Sequence, residues 1–354
     1  MNPKKKALSR LNGIPGVTYI FLIVFVAASI FVPRFFSVGN LSTMLLQACT
    51  LTLLSVAMAL TLMMGSIDLS MGGVVSMTGV IMAYIMRQGG SAWLALPVGL
   101  FIGALFGMLN GLMVTKLKVP AFIATFGSMG IAQSLANTIS EKRTVSWDAS
   151  PATRLIDFLG KDALSIKMGE NASQTLVISN LLIITAIVVV LVWLMFRKTT
   201  LGSNIYALGA NEETARLSGI NVTGWRIAVF VISGVLAALG GIVVMIRSNS
   251  VQPTIGANME FQACVAAVLG GNVMEGGKGS VPGAVLGALT LYTIRSAMSL
   301  LGIDTSWVQV VIGCVLVIGM LLNNAAAARE RKNSTAALKR AKADRAERRE
   351  DAKQ

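Results

Sequence analysis

The sequence predicts an all-α, polytopic membrane protein with about ten transmembrane helices, some of them broken or re-entrant, arranged as an inverted repeat. Composition is the first reason. Of 354 residues, 54% are hydrophobic and 13% are charged, with a mean hydropathy of +0.71, whereas roughly a quarter of the residues in a soluble domain are charged. The second reason is a succession of apolar segments close to the roughly 20 residues that a membrane helix needs. The third reason, which concerns the inverted repeat, is that glycines at four-residue spacing occur in the fourth apolar segment and again in the ninth.

Ten apolar segments are the candidate membrane helices: 15–32, 41–64, 74–86, 91–115, 119–139, 176–196, 227–246, 261–272, 281–301 and 306–322. The third and eighth segments are too short to cross a core of roughly 30 Å as straight helices. We expect each to be part of a broken or re-entrant element whose backbone groups are buried in protein. The first segment follows a basic stretch, as in a signal peptide, but no cleavage site follows it, so we interpret it as a membrane helix.

The distribution of positive charge predicts the orientation, because cytoplasmic segments carry an excess of Lys and Arg. Placing both termini in the cytoplasm puts most of the 30 Lys and Arg residues on that side and requires an even number of helices. We expect a cytoplasmic N-terminus at 1–14, a membrane domain at 15–322 and a basic cytoplasmic tail at 323–354 that contacts solvent or lipid rather than nucleic acid. A polar outer loop at 141–175 is expected to form a small lid or short helix, and a longer cytoplasmic loop occupies 197–226.

The residue inventory excludes several kinds of chemistry. The chain has no His, so imidazole metal sites, Ser-His nucleophiles and His proton relays are excluded. Its three cysteines lie far apart inside apolar segments, without a C-x-x-C pair, and are expected to be small core residues. A membrane-embedded enzyme would need convergent acids or metal ligands at one depth, and the sequence contains no such cluster. We therefore expect a protein without a metal site that is not an enzyme.

Glycines at four-residue spacing mark two segments. Gly103 and Gly107 belong to such a ladder in the fourth segment, and Gly283 and Gly287 belong to one in the ninth. Ladders of this kind let helix backbones approach closely inside lipid, so we expect these four to be helix-packing residues. The stretches that begin at Gly103 and Gly283 are similar, and the offset of five helices between them inverts their orientation. With short third and eighth segments, this pattern is typical of inverted repeats in transport proteins.

Polar residues inside the apolar segments are the candidates for a translocation pathway or a broken helix. They are Asp68, Ser70, Asn110, Gln133, Asn137 and Gln262. Asp68 either organises a bend by accepting backbone N–H groups or capping the third helix, or it is a solvated carboxylate in a cytoplasmic turn. Arg295 is the other charged candidate. An ion-driven carrier needs acids or His along its pathway. The amide and hydroxyl side chains of these segments instead favour a neutral polyhydroxy solute. Each of these side chains can also serve in a helix–helix contact.

The longer cytoplasmic loop carries the signals of a short helix. Asn211 is a good N-cap, and Glu212 and Glu213 favour the positive end of the helix dipole. We expect Glu212 to pair with Arg216, four residues on, and Gly219 to take the left-handed position after the helix. A helix of two turns is marginal alone in water. Either the chain's own membrane helices or a cytoplasmic partner must therefore hold it.

Several stretches resemble the permease subunits of ribose-type ABC sugar importers, and the resemblance extends from Phe35 to Leu322. The matching stretches are Ile67 to Ser70, Asn110-Gly111 with Lys116 to Thr125, Tyr206 to Gly209 with Gly219 to Val222, Gln252-Pro253, and Val268 to Gly271 with Gly276 to Gly279. The chain departs from the family at Ser66, where Gly is common, and around Arg295, where an Asn-Gly pair is common.

The resemblance implies the translocation subunit of an importer in the inner membrane. It implies a second permease protomer, in a homodimer or heterodimer, an extracytoplasmic solute-binding protein, and a cytoplasmic ABC ATPase that carries the ATP and Mg, with no cofactor on this chain. The region from 207 to 219 would be the helix that fits a cleft of the ATPase. Its ATPase-coupling residues would be Ala207, Gly209, Asn211, Glu212, Glu213, Arg216 and Gly219.

A separate ATPase agrees with the sequence. The nearest match to a phosphate-binding loop ends at Gly277-Lys278-Gly279 and lacks both the first glycine and the Ser or Thr after the lysine. We interpret it as a Gly-rich turn. Two alternatives stay open: an ion-coupled secondary sugar carrier that works without an ATPase, and, more weakly, a membrane-embedded enzyme.

Overall fold

The computed structural model describes residues 16–167, 175–304, 306–315 and 317, so the predicted termini at 1–14 and 323–354 lie outside the described residues. The helices are α1 Gly16–Phe31, α2 Val38–Met63, α3 Met71–Arg87, α4 Ala92–Thr115, α5 Ala121–Ile139, α6 Arg154–Gly160, α7 Asn180–Lys198, α8 Thr200–Ala210, α9 Glu212–Leu217, α10 Val222–Ser248, α11 Met259–Leu269, α12 Val281–Leu300 and α13 Ser306–Val315. The strands are β1 Val145–Ser146, β2 Asp162–Lys167, β3 Thr175–Ser179 and β4 Ser250–Val251.

The helical architecture confirms the all-α, polytopic fold class. Five described helices, α2, α4, α7, α10 and α12, are long and apolar enough to cross a membrane. The total of ten spans stays a prediction, because α1, α3, α11 and α13 are shorter apolar helices. At 1.5 Å per residue, α11 is only about 16 Å long, which agrees with the expected short eighth element.

Helix α3 is longer than the sequence predicted. It runs for 17 residues from Met71, whereas the apolar pattern predicted a start at residue 74. The two glycines at its start, Gly72 and Gly73, have low intrinsic helix propensity. Both are buried, however, and Gly73 lies against the backbone of Met129 on α5. Close packing of this kind stabilises a helical glycine inside a membrane protein.

The centre of the bundle consists of α2, α3 and α10. Every residue of α2 from Ala48 to Met63 is buried, and α10 packs against α2, α3 and α4. Helix α7, in contrast to the buried α2, exposes the apolar side chains of Ile183, Ile187 and Leu191. An apolar helix with one exposed apolar face is suited to contact with lipid tails, so α7 belongs to the periphery of the bundle.

The predicted outer loop contains both strand and helix. β2 pairs with β3 in an antiparallel ladder, while β1 pairs with β4, which follows α10. The short helix α6 lies between these strands in sequence and packs against α10 and α7. The expected short helix is therefore present, accompanied by strands that the sequence analysis did not predict.

The two glycine ladders have different neighbours. Gly103 and Gly107 of α4 face α10, where a Cβ on either glycine would overlap the backbone at Gly234 or Phe230. Gly283 and Gly287 of α12 instead face α11, at Gly270 and Ala266. Each ladder thus lies at a close helix contact, but the partners are not equivalent. The inverted repeat stays a prediction.

Candidate functional site

Asp68 is completely buried in the break between α2 and α3. Its Oδ1 accepts hydrogen bonds from the Ser70 backbone N (2.9 Å) and Ser70 Oγ (2.6 Å), and its Oδ2 accepts one from Ser233 Oγ of α10 (2.6 Å). The interpretation as a solvated turn is therefore wrong. The carboxyl group organises the bend as an Asx-turn, a local alternative to helix hydrogen bonding. It does so just before α3, whose N-cap residue is Ser70.

The hydrogen bonds continue from Ser70 to two further helices. Asn110 Nδ2 of α4 donates to Ser70 Oγ (2.9 Å), and Ser128 Oγ of α5 donates to Asn110 Oδ1. We call Asp68, Ser70, Asn110, Ser128 and Ser233 the buried polar network. All five are at most 4% exposed. Linked hydrogen bonds in a low-dielectric interior favour one arrangement of the elements that carry them, so this network fixes the break against α4, α5 and α10.

The sequence analysis found only part of this network. It named Asp68, Ser70 and Asn110, which the structure brings together, but it missed Ser128 and Ser233. Single serines in apolar helices usually serve in helix packing. Nothing in the local sequence separates these two from the other serines of the chain, because their role depends on contacts between distant segments.

The other three predicted pathway residues lie apart from the network. Gln133 Nε2 of α5 donates to the backbone O of Pro253, which holds the segment before α11 against α5. Asn137 lies one turn further along α5 and is half-buried. Gln262 of α11 accepts a hydrogen bond from Arg295 Nη2 of α12 (3.0 Å). The six candidates therefore divide into one connected group and three separate residues.

Glu260 is a buried acid that the sequence analysis missed. It is 3% exposed, in the first turn of α11, and its Oε2 lies against Gly72 and makes no hydrogen bond to any described residue. The predicted eighth segment began at residue 261, one position too late to include it. Asn258 occupies the N-cap position of α11, and because Asn is a preferred N-cap residue, it is a sequence signal that would have extended the segment.

The longer cytoplasmic loop forms two helices, whereas the sequence predicted one between 207 and 219. Asn211 separates α8 from α9 and caps α9, since its Oδ1 accepts the Thr214 N–H (2.9 Å). Gly219 takes the expected left-handed conformation, with a φ of 82°. The capping residues were thus placed correctly, but α8 begins at Thr200, well before the expected helix.

The predicted pairing of Glu212 with Arg216 is wrong. Arg216 pairs with Glu213 instead (2.8 Å), and Glu212 pairs with Arg226 of α10 (2.9 Å). A spacing of three residues places Glu213 and Arg216 on one face of this short helix. Glu212 therefore joins α9 to the start of α10 through its ion pair with Arg226. Spacing along the local sequence cannot reveal a contact between two separate helices. The exposed Glu213–Arg216 pair and Leu217, which is 79% exposed, form the outward side of α9.

Helix α8 meets two other segments at one point, which we call the junction: Met63, Tyr206, Gly209, Gly277 and Gly279. The Gly277 N–H donates to the Met63 carbonyl (2.9 Å), and the Tyr206 hydroxyl donates to the Gly279 carbonyl (2.7 Å). Burial raises the pKa of Tyr206, so this phenol stays a donor. Gly209 lies against both Met63 and Gly277, where a Cβ would overlap the backbone. Half-buried Ala207 lies in the same turn of α8 and accepts the Asn211 N–H.

The junction is close in sequence to the buried polar network. Met63 ends α2, and Asp68 follows five residues later. Gly277 and Gly279 lie in the turn between α11 and α12, where both have positive φ, 73° and 150°. One end of α8 therefore touches both the break before α3 and the turn before α12.

Comparisons with known proteins agree with this architecture. The family described as "Branched-chain amino acid transport system / permease component" matches residues 40–320. The chain is 34% identical to the ribose import permease protein of Haemophilus influenzae over 308 residues, which are 87% of this chain and 92% of that protein. It is 32% identical to the L-arabinose transport system permease protein of Escherichia coli over 308 residues, 87% of this chain and 89% of that protein.

A fructose import permease protein of Rhizobium meliloti is 31% identical over 292 residues, which are 82% of this chain and 79% of that protein. No solved structure matches the chain. The family and these relatives are transport components rather than enzymes, and the apolar helices make this chain a multi-pass membrane protein. The chain belongs to the family of transport-system permease components.

Proposed function

We propose that this chain is the translocation subunit of an ATP-driven importer for a monosaccharide or a related polyhydroxy solute. The relatives named above are permeases for ribose, arabinose and fructose. The family description also names branched-chain amino acids. Three sugar permeases that each match more than four fifths of this chain favour a sugar over an amino acid.

The observation that carries the mechanism is the junction. A cytoplasmic ATPase that displaced α8 and α9 would move Gly209, which has no side chain and lies directly on Met63 and Gly277. The displacement would reach the Met63–Ser70 break and the turn before α12 together, because Gly277 donates its N–H to the Met63 carbonyl. Packed elements respond to such a push by switching between discrete arrangements rather than by continuous deformation. Alternating access would then follow from a change at the break that precedes α3.

The ATP would be hydrolysed on a partner subunit. A phosphate-binding loop needs free backbone N–H groups that cradle the phosphates, but the N–H of Gly277 already donates to Met63. The Gly-rich turn of this chain therefore serves packing within the subunit. ATP and Mg belong to the cytoplasmic ABC ATPase, and α9, with its exposed Leu217, is the surface proposed to enter the ATPase cleft.

The proposed assembly has three further features. Both termini are cytoplasmic, a second permease protomer completes the pathway in a homodimer or heterodimer, and a solute-binding protein delivers solute from the outside. The domain division at 15–322, with the outer loop at 141–175 and the coupling loop at 197–226, belongs to the same proposal. The absence of His supports an ATP-driven importer over an ion-coupled carrier, because ion coupling relies on chains of acids or His in the membrane.

Reversing the charge of Glu213 tests the proposed coupling. Glu213→Lys breaks the exposed pair with Arg216 on the outward side of α9 and leaves the buried contacts of α8 intact. Uptake of radiolabelled ribose, arabinose or fructose by cells that also contain the ATPase and the binding protein should fall by about tenfold or more, because a lysine beside Arg216 replaces an ion pair by two like charges on the surface proposed to dock. Membrane insertion and the amount of protein should not change.

Asp157→Lys is the matched control for the ATPase contact, since it makes the same type of charge reversal at an exposed residue of α6, at the other end of the bundle. Co-purification of the ATPase should fall with Glu213→Lys and not with Asp157→Lys. Full uptake by Glu213→Lys with the ATPase still bound would contradict the assignment of α9. Solute accumulation by the purified chain in liposomes under an ion gradient alone would instead establish a secondary carrier.

A further inference from the structure

Arg295 lies inside α12, five residues before the helix ends at Leu300, and both it and its partner Gln262 are half-buried. Its Nη2 donates to Gln262 Oε1 (3.0 Å), and its guanidinium stacks 5.3 Å from the centre of the Tyr292 ring. In the described part of the chain the ion pairs are Arg216–Glu213 and Arg226–Glu212. Arg295 is therefore a cation within a membrane helix that no described acid neutralises.

The side chain of Arg295 extends back along α12 toward the level of Leu291 rather than toward the nearer end of its helix. Gly283 faces Gly270 and Gly287 faces Ala266, so α11 and α12 run antiparallel, and one further turn places Gln262 level with Leu291. The guanidinium thus reaches about one helical turn, or roughly 5 Å, away from Leu300. An arginine that snorkels to the membrane surface would extend the other way, toward the end of the helix about 7.5 Å distant.

An uncompensated intramembrane cation costs free energy unless it faces water or an anion. The half-exposed side of Arg295 is therefore suited to a water-filled pathway. The two buried acids of the described residues do not neutralise it, because Asp68 belongs to the buried polar network and the Glu260 carboxyl lies against Gly72. Gln262 accepts from Arg295 through Oε1, which leaves the two N–H donors of its Nε2 directed elsewhere. The pair thus presents several donors and one positive charge, which a negatively charged acceptor group would match.

We propose that Arg295 and Gln262 form a solute-binding subsite of the pathway that recognises the carboxylate of an anionic sugar, such as a uronate or aldonate. The planar guanidinium matches a carboxylate bidentately, and such charge-assisted hydrogen bonds are stronger than neutral ones. This inference rests on the proposed function and restricts its solute class. The amide and hydroxyl inventory favoured a neutral solute, but the structure uses Asn110 and Ser70 within the buried polar network, so those groups are occupied.

The test measures binding of D-galacturonate, D-galactose and L-leucine to the purified transporter, this chain together with its ATPase subunit, by the rise in its unfolding temperature. Galacturonate should raise that temperature more than galactose does, and the effect should weaken with added NaCl. Arg295→Gln should weaken galacturonate binding by about ten- to a hundredfold, the range for hydrogen bonds to charged groups. Arg295→Lys keeps the positive charge but lacks the planar guanidinium, so its affinity for galacturonate should lie between those of the unaltered protein and Arg295→Gln.

Arg247→Gln is the matched control, because Arg247 is a half-buried arginine at the end of α10 that donates to a backbone carbonyl. It should bind galacturonate like the unaltered protein. Equal binding of galacturonate and galactose, or galacturonate binding that survives Arg295→Gln, would overturn the subsite. Leucine binding without galacturonate binding would overturn the sugar class.

ATP-driven uptake in cells separates failure of the subsite from failure of the proposed function. Uptake of a neutral sugar that is indifferent to Arg295→Gln, with no galacturonate binding, would reject the subsite and leave the importer intact. ATP-driven accumulation of L-leucine and of no sugar would reject the proposed function together with the inference. Unfolding temperatures without solute show whether Arg295→Gln folds normally, and Arg295→Lys provides the comparison if it does not.

Discussion

At the scale of the residue, Asp68 illustrates how an acid is kept inside an apolar bundle. Its two carboxyl oxygens accept three hydrogen bonds, two from Ser70 and one from Ser233. Burying a polar group lowers stability mainly when the group lacks a hydrogen-bond partner, because the free energy lost on leaving water is then not recovered. The sequence placed Asp68 at a break but left its surroundings open, since Ser233 lies 165 residues away.

Removing the carboxyl group of Asp68 should destabilise the protein more than removing one of its hydrogen-bond donors. Asp68→Leu leaves three donors without partners, and we expect the free energy of unfolding to fall by about 2–5 kcal/mol, since each orphaned group costs about 1–3 kcal/mol with partial relief by rearrangement. Ser233→Ala removes one donor to a carboxyl group and should cost about 1–3 kcal/mol. Unfolding temperatures in detergent measure both changes.

The control for this series is Ser29→Ala, whose hydroxyl donates to the Phe25 carbonyl of its own helix. A hydroxyl that back-bonds within a helix adds little stability, so this variant should unfold near the temperature of the unaltered protein. Equal losses from Ser29→Ala and Ser233→Ala would show that the link between α10 and the break contributes nothing specific.

At the scale of the element, what could be predicted depends on whether the information is local. The cap at Asn211 and the general all-α, apolar-helix character follow from neighbouring residues, so they were predicted correctly. The start of α3 at Met71 depends on packing against α5, so the local pattern placed it three residues late. The start of α11 was also placed late, although Asn258 offered a local signal for it. The Glu212–Arg226 pair was missed for the same reason, because it joins two helices rather than two turns of one.

The contact between α4 and α10 gives the prediction at this scale. Gly107→Ala places a methyl group where the Phe230 carbonyl lies, so α4 and α10 must separate, and overpacking of this kind costs about 1–3 kcal/mol. Separation would also strain the buried polar network, because Asn110 is on α4 and Ser233 is on α10. We expect a lower unfolding temperature although alanine has the higher helix propensity.

Gly130→Ala provides the matched substitution, since Gly130 is a helical glycine of α5 with nothing within 4 Å of its Cβ position. It should leave stability unchanged or raise it by up to about 1 kcal/mol through helix propensity alone. If both alanine variants behave alike, close approach of α4 and α10 is not a determinant of the fold.

At the scale of the whole molecule, polar structure is concentrated at opposite ends of an apolar bundle. The β2–β3 ladder and α6 are at one end, and α8 with α9 is at the other, with the long helix α2 between them. Positive charge predicts which end is cytoplasmic, and this prediction needs only the sequence, because the bias acts on whole loops during insertion. The contacts within the bundle are compatible with either orientation, so the orientation requires its own experiment.

Single cysteines at the two ends test the orientation. With Cys49, Cys264 and Cys314 replaced by alanine, Leu164→Cys on β2 and Leu217→Cys on α9 provide thiols at positions that are 46% and 79% exposed. A maleimide that cannot cross membranes should label Leu164→Cys in intact spheroplasts and should label Leu217→Cys only after lysis, because a charged reagent cannot pass the apolar core. The cysteine-free protein gives the background. Labelling of Leu217→Cys from the outside would place α9 on the face opposite the ATPase, and the proposed coupling would then have no route to the cytoplasm.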